Sequence, residues 1–197
     1  MADQNLKTLR DLIWYEYAKV VARSILQLSS TTRSDVTSDS MAHQTLHDLQ
    51  VGALSWSDMT GDESQLAEDP KACAYCGSTD HLAHENLVPR SLVLNEYCPS
   101  CEILQAPSNE FWICRACDAR KGNLGFYQFY KRLAPGSEMF CDRIPAVLEM
   151  KYLRTVYECL QCARCLDLGD IDGDGVVTVL DIDYALQSRG QMWNVLL

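Results

Sequence analysis

Cysteine spacing is the feature that most narrows what this chain can fold into. Ten cysteines fall as Cys73-x-x-Cys76, Cys98-x-x-Cys101, Cys114-x-x-Cys117 and Cys159-x-x-Cys162-x-x-Cys165, with Cys141 alone. A two-residue gap lets both thiolates of a knuckle turn toward one ion, and two knuckles supply the tetrahedral four-sulfur shell that zinc prefers. Gly77 follows the first pair, where the turn needs a permissive backbone. No apolar run of signal-peptide type stands at the N-terminus, and no stretch of roughly 18 apolar residues occurs. The expected compartment is therefore the cytoplasm, with no membrane span. Thiols stay reduced there, so metal ligation is expected over disulfides.

Two structural zinc ions are expected. Cys73 and Cys76 most simply join Cys114 and Cys117, closing a loop around the segment between them. Cys98 and Cys101 sit inside that loop and need a second pair. Cys159 and Cys162 follow a helical stretch and can fold back to supply it, with Cys165 as a substitute for Cys159. Cys141 reads as a plain buried thiol.

Charge is uneven along the chain, whose formal net charge is −10. Residues 1–70 carry five basic and eleven acidic side chains, residues 167–197 one and six, and residues 71–135 seven and six. The middle stretch is the one that would not repel an anionic polymer. Four segments follow. Residues 1–70 are helical, with apolar residues from Leu6 to Leu28 at spacings of three and four and a second patch over Met41–Leu54. Ser29–Ser40 reads as a loop. Residues 71–135 mix dense turns with short apolar runs at 86–88, 91–94 and 111–113, then a helix from Arg115 to about Leu133 weakened by Gly122 and Gly125. Residues 136–166 hold a helix over about Pro145–Leu160 and the last knuckle. Residues 167–197 form an acidic tail. The class is α+β.

Between the knuckles stands Leu82-Ala-His-Glu-Asn-Leu-Val-Pro-Arg-Ser91, and around the third pair Asn109-Glu-Phe-Trp-Ile-Cys-Arg-Ala-Cys-Asp-Ala-Arg-Lys-Gly-Asn123. Over roughly residues 71–130 the sequence resembles the zinc-knuckle form of the HNH endonuclease family. The match runs through Cys73, Cys76, Glu85, Leu87, Val88, Pro89, Arg90, Asn109, Cys114, Cys117, Lys121 and Gly122. The resemblance implies a ββα-metal (His-Me finger) core that grips one divalent ion, usually magnesium, and hydrolyses DNA phosphodiester bonds. It implies Glu85 as the first ligand of that ion and Asp118, where the family has Asn or His, as the second. Asn109 would pin the loop beneath the site, and Arg90, Arg120 and Lys121 would approach phosphates. One position departs from the pattern. The general-base position holds Asn86, and a carboxamide takes up no proton near neutral pH. His84 lies two residues earlier on the same strand face, about 6.6 Å away. Three explanations stand open: an inactivating substitution, natural loss of cleavage with binding retained, or His84 as base in a shifted geometry.

The tail contains Asp170-Ile-Asp-Gly-Asp-Gly-Val-Val-Thr-Val-Leu-Asp181. Oxygen donors fall at loop positions 1, 3, 5, 9 and 12, with Gly175 at position 6 for the sharp turn, which is the calcium-loop pattern. Asp170, Asp172, Asp174, the Val176 carbonyl, Thr178 and Asp181 are the expected calcium ligands. The segment resembles the loop and exit helix of a single dockerin repeat, with Leu180–Gln187 as the helix. Two functions follow as expectations: an HNH-type nuclease acting on DNA, or a non-catalytic zinc module that recruits a nucleic acid or, through the helical N-terminal region, a protein. Mobile elements and antiviral defence are both compatible settings.

Overall fold

The computed structural model describes residues 6–28, 37–60, 71–89, 101–137 and 140–192. The expectations placed on Arg90, Cys98, residues 91–94 and the loop from Ser29 to Val36 lie outside them.

Helix α1 spans Leu9–Leu28. The Thr8 hydroxyl accepts from the Asp11 N–H at 3.1 Å and donates to the Asp11 carboxylate at 3.0 Å. The N–H groups of Leu9 and Arg10 donate to the carbonyls of Leu168 and Leu166. The orphan donors of the first turn are thus met partly by a distant segment. Leu9, Leu12, Ile13, Tyr17 and Val20 bury one stripe of the helix. Helix α2, Ser38–Gln50, starts earlier than the sequence suggests, because Thr37 and Ser40 form a reciprocal capping box. Its Ala42 and Leu46 pack on Tyr15 and Ala18 of α1. Helix α3 is the short Trp56–Thr60.

Strand β1, Leu82–Asn86, pairs antiparallel with β2, Glu110–Cys114. Strand β1 lies further toward the N-terminus than the apolar run at 86–88 implies, since Leu87 and Val88 turn away from the ladder into the core. Helix α4, Cys101–Gln105, precedes β2. The single helix expected from Arg115 to Leu133 is two: α5, Arg115–Lys121, and α6, Phe126–Leu133. Gly122 at φ +52° ends α5 in a conformation that L side chains rarely adopt.

Helix α7, Ala146–Cys162, runs through the core. It extends two residues past the expected end, so Cys159 and Cys162 stand in its last turns rather than in a turn beyond it. Helix α8, Val179–Met192, closes the described chain. The N-terminal apolar stripe is spent within the molecule, against α2 and α7. One core cluster runs from Leu9 of α1 through Phe111, Phe129 and Leu153 to Leu186 of α8, so the four sequence segments share an interior. Among the described residues no helix is long and apolar enough to cross a membrane.

Candidate metal centres and the strand–strand–helix site

Cys73, Cys76, Cys114 and Cys117 bring their sulfurs within 4.8 Å of one another. The Sγ atoms of Cys76 and Cys114 are 3.7 Å apart. A tetrahedral zinc with bonds of about 2.3 Å needs sulfurs about 3.8 Å apart, so the spacing fits. Local bonds build both knuckles. The Gly77 N–H donates to the Cys73 carbonyl, with Gly77 at φ +74°, and the Ala74 N–H donates to the Trp112 carbonyl of β2. Cys114 caps α5 and its sulfur accepts from the Cys117 N–H. That N–H holds the Cys114 thiol down at about 7, while burial pushes the Cys117 thiol up. The group can hold a metal such as zinc.

The second sulfur set is less complete. Cys98 lies outside the described residues, as does the side chain of Cys101 at the start of α4. Cys159 is buried and Cys162 is disulfide-bonded. Zinc ligation by Cys162 requires that bond to be reduced to the thiolate. Cys141 is half-buried, and burial raises its thiol to about 12.

Strands β1 and β2 are followed directly by α5. Register sets Glu85 opposite Phe111, and Asn86 opposite Glu110. Glu85 therefore shares its face with the buried Phe111 and Ile113, while Asn86 shares the other with His84 and Trp112. Glu85 is half-buried and Asp118 is exposed on α5. Among the described residues the Asn86 Oδ1 and the Tyr75 hydroxyl, both buried, have no hydrogen-bond partner. His84 is committed elsewhere: its Nδ1 lies 3.1 Å from the Glu110 carboxylate and its ring stands edge-on to Trp112. Asn109 is fully buried just ahead of β2. Its Oδ1 accepts from the Val88 N–H at 2.9 Å, and its Nδ2 donates to the carbonyls of Val88 and Leu104. Three bonds from one side chain fix the turn after β1 to the segment before β2. Arg120 is exposed, whereas Lys121 is buried and acts electrostatically on Asp183. Lys121 is thus less available to a phosphate than the resemblance implies.

In the tail, Asp170, Asp172 and Asp174 converge, all exposed. Asp170 accepts from the N–H groups of Gly173, Asp174 and Gly175. Gly173 and Gly175 take positive φ. Asp181 stands outside that triad. Its Oδ1 accepts from Ile171 and Asp172, and its Oδ2 accepts from the N–H and hydroxyl of Thr178. Asp181 and Thr178 thereby clamp the loop at the start of α8. Val176 is exposed, and its N–H donates to Asp174.

The sequence reading missed three buried carboxylates, Glu16, Glu149 and Asp183, of which the last two are strongly perturbed. Asp183 of α8 accepts from the Gln128 N–H at 2.7 Å and from the Tyr152 hydroxyl at 2.5 Å. Burial lifts its carboxyl to about 6. Glu149 accepts from Arg23 at 3.0 Å and from the Tyr127 hydroxyl at 3.2 Å. Burial and the neighbouring Glu16 outweigh Arg23 and Lys19 and lift it to about 7. No sequence pattern flags either group, because every named partner lies more than 20 residues away along the chain apart from Glu149's local helix.

No family model matches the chain, and no curated protein or solved structure matches it.

Proposed function

We propose that this chain is an HNH-type, metal-dependent nuclease acting on DNA, with zinc at Cys73, Cys76, Cys114 and Cys117 as its staple. The observation that carries this reading is Asn109. It pins the turn after β1 in a strand–strand–helix unit closed by four sulfurs, and β1 and α5 of that unit would supply Glu85 and Asp118 as hard oxygen donors. The donor set suits magnesium. A divalent ion held there would stabilise charge developing on the phosphate. The chain itself would supply the ion's carboxylates and a rigid strand to carry them. Calcium at Asp170, Asp172 and Asp174 is part of the same proposal, as a structural ion.

A second reading, a non-catalytic zinc module, is favoured by one observation. The family's base position holds Asn86, a carboxamide that takes up no proton near neutral pH, and the His84 Nδ1 that meets Glu110 leaves only its Nε2 as an alternative. A plasmid-nicking assay with magnesium separates the two. The chain should cleave slowly or not at all, and Asn86→His should raise the rate by about 10²- to 10⁴-fold. Glu85→Ala or Asp118→Ala should abolish that gain. Good cleavage by the unaltered chain that His84→Ala removes would make His84 the base. An Asn86→His form that stays inert leaves the interaction module.

A further inference from the structure

The turn between α5 and α6 opens onto a cavity of about 850 Å³. Among the described residues its lining carries the cations Arg120, Lys121 and Arg132, the amides of Asn123, Gln128 and Gln187, and no carboxylate. In a chain of net charge −10 this is a local reversal of sign. The parts are held in place. The amides of Gln128 and Gln187 bond reciprocally at 3.1 and 3.0 Å, and Gln187 also donates to the Asn123 carbonyl at 3.2 Å. Helix α8 of the tail thereby supplies part of the lining. The Arg132 guanidinium reaches the Arg120 carbonyl at 3.4 Å, which ties two exposed arginines to one rim. Lys121 is buried and its charge acts on Asp183 beneath the lining, so the two exposed arginines are the cations open to a ligand.

Among the described residues no aromatic ring lines the cavity. Bases would find nothing to stack on, whereas phosphates would find two guanidinium groups at the rim. Arginine suits such a site, because its planar fork matches phosphate oxygens in pairs. We propose that this groove binds the phosphodiester backbone of a nucleic acid, with Arg120 and Arg132 as the contacting cations. The identity of the anion rests on the nuclease reading: Ala119 lines the groove and directly follows Asp118, so a strand seated here would lead to the proposed ion.

The test is fluorescence anisotropy of a labelled DNA duplex with the full zinc-loaded chain, without magnesium, over a salt series. Arg120→Gln/Arg132→Gln should weaken binding by at least about tenfold for any sequence, and should lower the salt slope by about 2, one for each cation removed. Lys7→Gln, which removes an exposed cation outside the groove, should bind as the unaltered chain does. Unchanged zinc content and circular dichroism would show that the double variant is folded. A double variant with unaltered affinity and slope overturns the groove, even where the Asn86→His form cleaves DNA. Absence of DNA binding by the unaltered chain also overturns it. The nuclease reading is then judged separately, by cleavage in the Asn86→His form. Arginine-dependent capture on phosphatidylserine vesicles without DNA binding would reassign the groove to a membrane surface and overturn it too.

Discussion

Cysteine is where single residues decide most. A structural zinc contributes its binding energy directly to folding, so Cys114→Ser should cost both the ion and the order of β1, β2 and α5. Native mass spectrometry should count one zinc while Cys162 is disulfide-bonded and two after reduction, when a second four-thiolate set becomes available. A folded, zinc-free chain would contradict this. Glu149 makes a separate prediction. Its carboxyl sits at about 7 in the folded chain against an ordinary 4.5. Between those values the native state holds a proton that the unfolded state has released, so this group's contribution to stability falls as pH rises. Glu149→Gln removes that slope and adds a nearly constant offset from the altered Arg23 pair. The variant's stability relative to the unaltered chain should therefore rise between pH 4.5 and 7, by on the order of 3 kcal/mol. Urea midpoints across that range measure it, and parallel curves would refute it. Cysteine pairs are legible in sequence because a knuckle is local. Glu149 is not, because the groups that bury it, Arg23, Glu16 and Tyr127, come from other helices.

Elements show the same division. The α1 stripe and the apolar face of α7 follow from spacing alone. The break between α5 and α6 follows only in part, since two glycines weaken a helix without saying where it stops. Asp183 decides that: a Cβ on Gly125 would lie 2.3 Å from its Cγ. The carboxylate takes the space a side chain would fill and accepts from the N–H of Gln128, one of the orphan donors at the start of α6. Gly125→Ala should cost about 1–3 kcal/mol by overpacking. Asp183→Ala should cost a similar amount, by leaving the buried Tyr152 hydroxyl and an α6 N–H unmet, about 1–3 kcal/mol. The two costs share one cause, so the double variant should be less destabilised than their sum. Strict additivity in thermal or urea unfolding would mean that Asp183 does not hold this junction.

At the scale of the molecule, the tail that reads as an appendage is part of the frame. Leu166 and Leu168 accept from the first N–H groups of α1, and Ile182, Ala185 and Leu186 of α8 lie in the shared core. Composition suggested four segments because charge changes sign along the chain, but charge marks surfaces and says little about which interiors merge. Two carboxylates on α8 carry the link. Asp181 clamps the acidic loop, and Asp183, two residues on, caps α6 beside the proposed nuclease unit. An ion that orders the loop should therefore stabilise α6 as well as its own ligands. Calcium at about 100 times its dissociation constant should add about 2.7 kcal/mol. For a chain of this size that is a rise in Tm of roughly 5–10 °C. Asp170→Ala should abolish the rise. Hydrogen exchange should slow along Phe126–Leu133 as well as in the loop. If calcium protects residues 170–178 alone, the tail is a separate calcium module. If neither Tm nor exchange responds, the three aspartates bind no calcium.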